Sequence, residues 1–330
     1  QKMTGFILRR VLAVFPVMAI VASVVFLLLR LTPGDPAAIL AGDFATPEQL
    51  DRIRDSLGLN EPIHVQFLTW AGQLLHGNLG TSLLSGTPVT TMIGQRIWPT
   101  LNIAFLTIAL SVLIAVPLGI RKALAPGSRF DVWSSGVIIV AYAIPGFLFA
   151  LLLIIVFAGG SYWQWFPMQG LTSEDFASLS AWGKLLDYAH HMVLPTLCLT
   201  LGGLATLTLF TRNSFLEELQ KQYVLTARAK GADERRVLLG HVFRNAMLII
   251  IAGFPSAFIG IFFTGSLLIE VIFSLDGLGL MSFEAAINRD YPVVFGTLFI
   301  FTLLGLVVKL IGDITYTLVD PRIDFESREG

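Results

Sequence analysis

An all-α integral membrane protein with six transmembrane helices is the fold class this sequence predicts, and three observations predict it. The chain of 330 residues is 55% hydrophobic and only 14% charged, against about 25% charged in soluble domains, and its mean hydropathy is +0.75. Six windows, 11–31, 100–120, 132–158, 192–211, 246–269 and 293–312, carry the roughly 20 apolar residues a helix needs to cross the hydrocarbon core. The loop Lys and Arg residues divide 15 against 5 between the two sides, which places both termini in the cytoplasm.

The first window follows Arg9 and Arg10. Its apolar run from Val11 to Leu29 is longer than the roughly 7–15 residues of a signal h-region, and no small-x-small cleavage site follows. It is therefore expected to stay as a helix, with Met3 the expected initiator and Gln1 and Lys2 foreign to the natural start. Residues 32–99 then read as an outer helical segment. Thr46-Pro47-Glu48-Gln49 has the form of a capping box with proline at the first helical position. It predicts a helix from Pro47 to Leu57 stopped by Gly58, followed by a helix from Pro62 to about His76. A third, from Val89 to Trp98, leads into span two. Further on, Pro16, Pro117, Pro145, Pro195 and Pro255 fall in or beside five of the six spans. Small residues gather in spans four and five: Gly202, Gly203 and Ala205, then Gly253, Ser256, Ala257 and Gly260. Such residues permit tight helix packing, or they line a path whose halves move.

Other features exclude function classes. A net charge of −1 leaves no basic excess for nucleic acid. The single cysteine, Cys198, excludes an internal disulfide and a thiolate cluster, and reads as a small apolar filler. His64, His76, His190, His191 and His241 show no metal-binding spacing. No ionisable residue stands near the middle of a span, where coupled carriers and voltage sensors keep theirs. Lys309 and Asp313 lie towards the cytoplasmic end of span six, and Glu270 at the outer end of span five. A secondary transporter or channel is the first competing class, and it lacks a visible internal repeat here. No acid, base and nucleophile converge, so a non-catalytic chain is expected. Glu270 with Asp276 reads as local capping at the outer mouth, or as an acidic pair steering substrate amines. Trp163 and Trp165 read as an interfacial aromatic belt.

The segment 212–245 is the most informative. A helix is expected from Phe215 to Lys230, stopped at Gly231. Asp233 then caps a second helix, with Glu234 in its first turn, running through Val237, Leu238, Val242 and Phe243 to Arg244. Positive-inside bias explains the charge alone. The apolar side chains need something to bury against, and Val242 and Phe243 are expected to insert into a groove on a cytoplasmic partner.

Tyr223-Val-Leu-Thr-Ala-Arg-Ala-Lys-Gly231, followed by His241-Val-Phe-Arg-Asn-Ala246, resembles the ATPase-contacting loop of dipeptide/oligopeptide ABC importer permeases. Thr32-Pro-Gly-Asp-Pro36, Leu57-Gly-Leu-Asn-Glu-Pro62, His76-Gly-Asn-Leu-Gly80, Phe273-Ser-Leu-Asp-Gly-Leu-Gly279, Arg289-Asp-Tyr-Pro-Val293 and Val319-Asp-Pro-Arg-Ile323 resemble the same family, in order along the chain. The run from Leu209 to Tyr223, the stretch Phe254–Phe258 and the end Pro321–Phe325 are similar to its Yej branch, linked to murein peptides and microcin-C-type antibiotics.

The resemblance implies the type I (MetI-like) permease fold and import of short peptides across the bacterial inner membrane. It also implies partners: a second homologous permease forming a heterodimer, a cytoplasmic ABC ATPase, a periplasmic peptide-binding protein and the lipid bilayer. The coupling residues it marks are Tyr223, Thr226, Ala227, Arg228, Lys230, Gly231, Asp233, His241, Val242, Phe243 and Arg244; the acidic-pair reading, apart from the resemblance, adds Glu270 and Asp276 as candidates on the substrate path. Leu225 departs from the broad importer pattern Glu-Ala-Ala-x-x-x-Gly, which has Glu six residues before the glycine. No GxxxxGK[ST] loop is present, so ATP and Mg are expected on the ATPase and no cofactor on this chain. Another small solute, such as a metal chelate, is the alternative cargo. The expected divisions are 1–31, 32–99, a core of 100–315 and a cytoplasmic tail of 316–330.

Overall fold

Leu-, Val- and Phe-rich runs punctuated by Gly and Pro become a succession of helices in the computed structural model, which describes residues 2–260 and 266–319. They are α1 (Lys2–Leu31), α2 (Pro36–Ala41), α3 (Pro47–Ser56), α4 (Ile63–Leu75), α5 (Val89–Leu124), α6 (Arg129–Ala143) and α7 (Gly146–Phe157). There follow α8 (Ala181–Leu219), α9 (Gln222–Ala229), α10 (Glu234–Arg236), a π-helical segment (Val237–Val242), α11 (Phe243–Gly260), α12 (Ser266–Phe273), α13 (Leu278–Ile287) and α14 (Tyr291–Val319). Among the described residues, five helices are long and apolar enough to span a membrane, and α6 with α7 forms a sixth, bent candidate. The helices group into two compact units. One is built from Gln1–Trp98 and Gly277–Val307, the other from Pro99–Asp276 and Val308–Gly330, so far as these are described.

In the first unit the expected turns are found. Thr46 Oγ1 accepts from Gln49 N and Gln49 Oε1 from Thr46 N, a complete capping box. α3 ends one residue early, at Ser56, and Gly58 takes φ +71. Bonds from Leu59 N to Arg54 O and from Gly58 N to Asp55 O close that end as a Schellman motif. Two of the sequence motifs, 32–36 and 289–293, meet here. Asp290 accepts from Ser82 Oγ and from Leu83 N (2.8 Å), while Tyr291 Oη donates to Pro33 O at 3.0 Å. Asp35 caps α2 through Ala37 N and accepts from Arg54 Nε at 3.0 Å. That guanidinium holds the Asp35 carboxyl below its ordinary pKa.

The second unit departs from expectation in two places. The span expected over 132–158 is not one straight helix, because α6 and α7 meet at 95°. Pro145 pushes Ile144 out of the α region to φ −76, ψ 123, which ends α6. By contrast Pro16, Pro99, Pro117, Pro195 and Pro255 sit inside continuous helices. The helix expected over 215–230 is also divided, with Lys221 extended at φ −75, ψ 154 between α8 and α9. In a straight helix Phe215 and Val224, nine residues apart, would point about 180° away from each other. The break lets both enter one apolar cluster, where each is 0% exposed. No glycine or proline announces it. The expected span over 246–269 lies in α11 and α12, with 261–265 outside the described residues; so do residues 320–330 of the expected tail and most of the Val319–Ile323 motif.

Candidate functional site

The elbow expected over 212–245 forms around that cluster. Phe215 from α8, Val224 from α9, Val237 and Val242 from the π-helical segment and Ala246 from α11 are all buried, with Phe243 packed against them. Gly231 takes φ +83, and bonds from Ala232 N to Ala227 O and from Gly231 N to Arg228 O complete a second Schellman motif. Asp233 Oδ1 then accepts from Arg236 N at 2.8 Å, the expected cap. The second arm does not stop at Arg244. It continues through the π-helical turn into α11, so the elbow is rigidly extended by a spanning helix.

This geometry corrects one expectation directly. Val242 is 0% exposed and fills the elbow's own core, and Phe243 packs beside it, so Val242 has no free face for a partner. The apolar side chains that do face outward are Leu225 and Leu239, 54% and 51% exposed. They are surrounded by exposed Thr226, Arg228, Lys230, Asp233, His241 and Arg244, while Ala227 and Tyr223 are half-buried. Arg228 and Glu234 form a paired fork at 2.9 and 3.1 Å across the Gly231 turn. Tyr223 Oη donates to Glu218 Oε2 at 2.6 Å, and Lys221 Nζ lies 2.6 Å from Glu218 Oε1. Burial, aided by the Glu218 carboxylate, pushes the Tyr223 phenol up to about 12.

Sequence reasoning missed the polar cluster that ties the elbow to the bundle. Arg212 on α8 donates twice to Asp131 on α6. Lys122, at the end of α5, is 0% exposed and donates to Asp131 O, Ser134 Oγ and Ser135 Oγ at 3.0, 2.9 and 2.6 Å. Its ammonium also lies 3.3 Å from Asp131 Oδ1. A lone acid just after the basic residues 121–129, three residues after Ser128, was the available signal. In the sequence alone, Lys122 and Arg212 stand only among the 15 Lys and Arg residues on the majority side.

Four glycines of spans four and five do not mark tight packing, whereas Ala205 is buried. Gly202 and Gly203 on α8 and Gly253 and Gly260 on α11 line a largely apolar cavity of about 510 Å³. A Cβ at any of these four would meet nothing within 4 Å. Close helix approach is found instead at Gly119, where a Cβ would lie 2.7 Å from Thr211 Cβ. Cys198 is buried in the neighbouring core, as expected of a filler. The substrate-path expectation for Glu270 is corrected: the residue is 0% exposed and accepts a hydrogen bond from Thr100. Asp276 is exposed, so the two carboxylates form no open acidic pair. Trp163 and Trp165 stack at 4.7 Å beside Phe157, both partly exposed as a belt requires.

With this geometry in place, comparison with known proteins is informative. A family model described as "Binding-protein-dependent transport system inner membrane component" matches residues 115–325, and its N-terminal companion matches 3–104. The chain is 45% identical to the "Peptidoglycan transport system permease protein YejB" of Agrobacterium fabrum, covering 99% of this chain and 100% of the relative. Identity and coverage are the same for the "Inner membrane ABC transporter permease protein YejB" of Escherichia coli O157:H7. The "Oligopeptide transport system permease protein AppB" of Bacillus subtilis is 35% identical, over 98% and 100%. Among solved structures, an inward-facing MetNI methionine ABC transporter superposes with a TM-score of 0.55 at 16% identity, over 70% of this chain and 97% of that one. At that identity the likeness concerns the fold alone.

Proposed function

The chain belongs to the family of binding-protein-dependent transport system inner membrane components, and from that premise we propose that it is the permease subunit of an ATP-driven peptide importer. It is a multi-pass inner-membrane transport permease with the MetI-like fold. Full-length similarity to permeases named for peptidoglycan and oligopeptide transport carries the reading of its cargo as short peptides, murein peptides among them. ATP and Mg bind on a separate ATPase chain. A periplasmic binding protein delivers the peptide, and a second homologous permease completes the path.

The elbow supplies the coupling device. Its sealed core lets α9 and the Gly231 turn move as one piece, and the exposed Leu225 and Leu239 offer apolar contact to the ATPase. Motion then passes along α8 and α11, which both line the glycine-rich cavity. That cavity is this subunit's share of the peptide path. The test is uptake of a labelled murein tripeptide by cells that carry this chain with its neighbouring transport genes. Uptake should vanish when the ATPase loses its phosphate-loop lysine. Persistent uptake driven by the proton gradient would overturn the reading.

A further inference from the structure

The first unit holds a second cavity, of about 330 Å³, unrelated to the elbow. Val25 and Leu29 of α1 and Phe295 and Phe299 of α14 supply apolar walls, and Arg30 and Asn78 stand among the lining residues. Arg30 is the one charged residue among those described as lining it, and no carboxylate joins it there. Its Nε donates to Gln66 Oε1 at 2.6 Å, and its guanidinium lies 4.8 Å from the Phe26 ring centre. Gln66 is fixed in turn by bonds from its Nε2 to Leu59 O and Glu61 O at 3.1 and 2.8 Å.

The Nη1 and Nη2 donors of Arg30 have no partner among the described residues. Asp35 and Asp290, next in sequence to the lining residues Pro36 and Tyr291, are both engaged elsewhere, by Arg54 and by Ser82 with Leu83. Asn78 spends its carbonyl oxygen on Gly80 N, which leaves its amide donors. A guanidinium cannot shed its charge, and a half-buried charge without a counter-ion is costly. The cavity is therefore donor-rich and carries net positive charge.

The placement of these groups selects the anion. Arg30 is one residue from the end of α1, itself a candidate membrane span, whereas Val25 and Leu29 lie further inside that helix. A ligand that fits has an anionic head at the helix end and hydrocarbon running inward. We propose that this cavity is a binding site for an anionic phospholipid, with its phosphate on Arg30 and Asn78 and its first acyl carbons between α1 and α14. A phosphodiester offers the paired oxygens that a guanidinium fork takes up.

The test uses the intact, delipidated importer complex, titrated with phosphatidylglycerol and read by native mass spectrometry. Phosphatidylcholine, inorganic phosphate and a tripeptide are titrated separately. The expected result is retained phosphatidylglycerol, with binding about tenfold weaker in Arg30→Gln and intermediate in Arg30→Lys, which keeps the charge but loses the fork. Leu74→Trp, which fills the cavity without touching the charge, should also release the lipid, and it decides the matter if Arg30→Gln does not assemble. Equal retention in Arg30→Gln, or in Leu74→Trp, overturns the proposal. So does displacement of the lipid by the tripeptide, which would assign the site to cargo, or equally tight binding of inorganic phosphate alone.

Discussion

Arg212 on α8 grips Asp131 on α6 with two hydrogen bonds, Nε to Oδ1 at 3.0 Å and Nη2 to Oδ2 at 2.9 Å. The same carboxylate faces the fully buried Lys122 ammonium of α5 and accepts from Gly127 N. Three helices, α5, α6 and α8, are thus joined through one side chain, just before α8 enters the elbow.

Asp131→Asn should be strongly destabilising, because it leaves Lys122 buried without its counter-ion. Removing one partner of a buried ion pair costs about 3–5 kcal/mol. Thermal unfolding of the purified complex should shift down markedly. Lys122→Met in the same chain should recover part of the loss, as expected for coupled neighbours. Additive effects of the two changes would show that the pair is not coupled.

Gly231→Val should uncouple the elbow while leaving the bundle assembled. The position needs φ +83, where a β-branched residue is strained by about 1–3 kcal/mol. Nothing lies within 4 Å of an added Cβ, so the penalty is conformational and not steric. Peptide uptake and substrate-stimulated ATP hydrolysis should fall together at near-normal membrane abundance. Gly231→Asn should retain more activity, since Asn tolerates that region. Normal uptake in the valine variant would reduce the turn to a passive tether.

Docking should run through Leu225 and not Val242. A cysteine at 225 should crosslink to the ATPase in high yield, and one at 242 should not, because that position is sealed in the elbow core. Reversed yields would place the interface elsewhere. Both variants are built on Cys198→Ser, which removes the native thiol.

The Asp35–Arg54 pair predicts an acid dependence. The carboxyl's pKa is lowered in the folded state, so its contribution is present above the ordinary carboxylate pKa and is lost as pH falls through the lowered one. Hydrogen exchange of α2 and α3 should therefore rise only in strong acid. In Arg54→Gln exchange of this segment should already be raised at neutral pH, with a smaller further rise in acid, because the pair's contribution is absent throughout. Unchanged acid profiles in the variant would remove the pair from any role in holding this segment.

Topology can be checked on the same cysteine-free background. Cysteines at 4 and 233 should resist an impermeant reagent in intact cells, whereas one at 44, in place of the fully exposed Phe44 in the 32–99 segment, should react. Labelling of 233 from outside would invert the orientation drawn from the charge distribution.

The sequence by itself determined the features that depend on local chemistry and on the solvent. Long apolar runs must satisfy their backbone groups internally in a bilayer, so they are helices wherever they fold. The Thr46 capping box, the Gly58 and Gly231 turns and the Asp233 cap are each decided within a few residues, and each was legible. Tertiary structure decided the rest. The break at Lys221 exists because Phe215 and Val224 share a core, a pairing that no local pattern contains. Lys122, Asp131 and Arg212 come together from three helices, and Val242 is turned inward by the same cluster that frees Leu225. Glycines at 202 and 253 admit both packing and lining in the sequence, and the facing helices leave their Cβ positions open. Burial is a property of what arrives on the other side, and a linear pattern carries only one side of each contact.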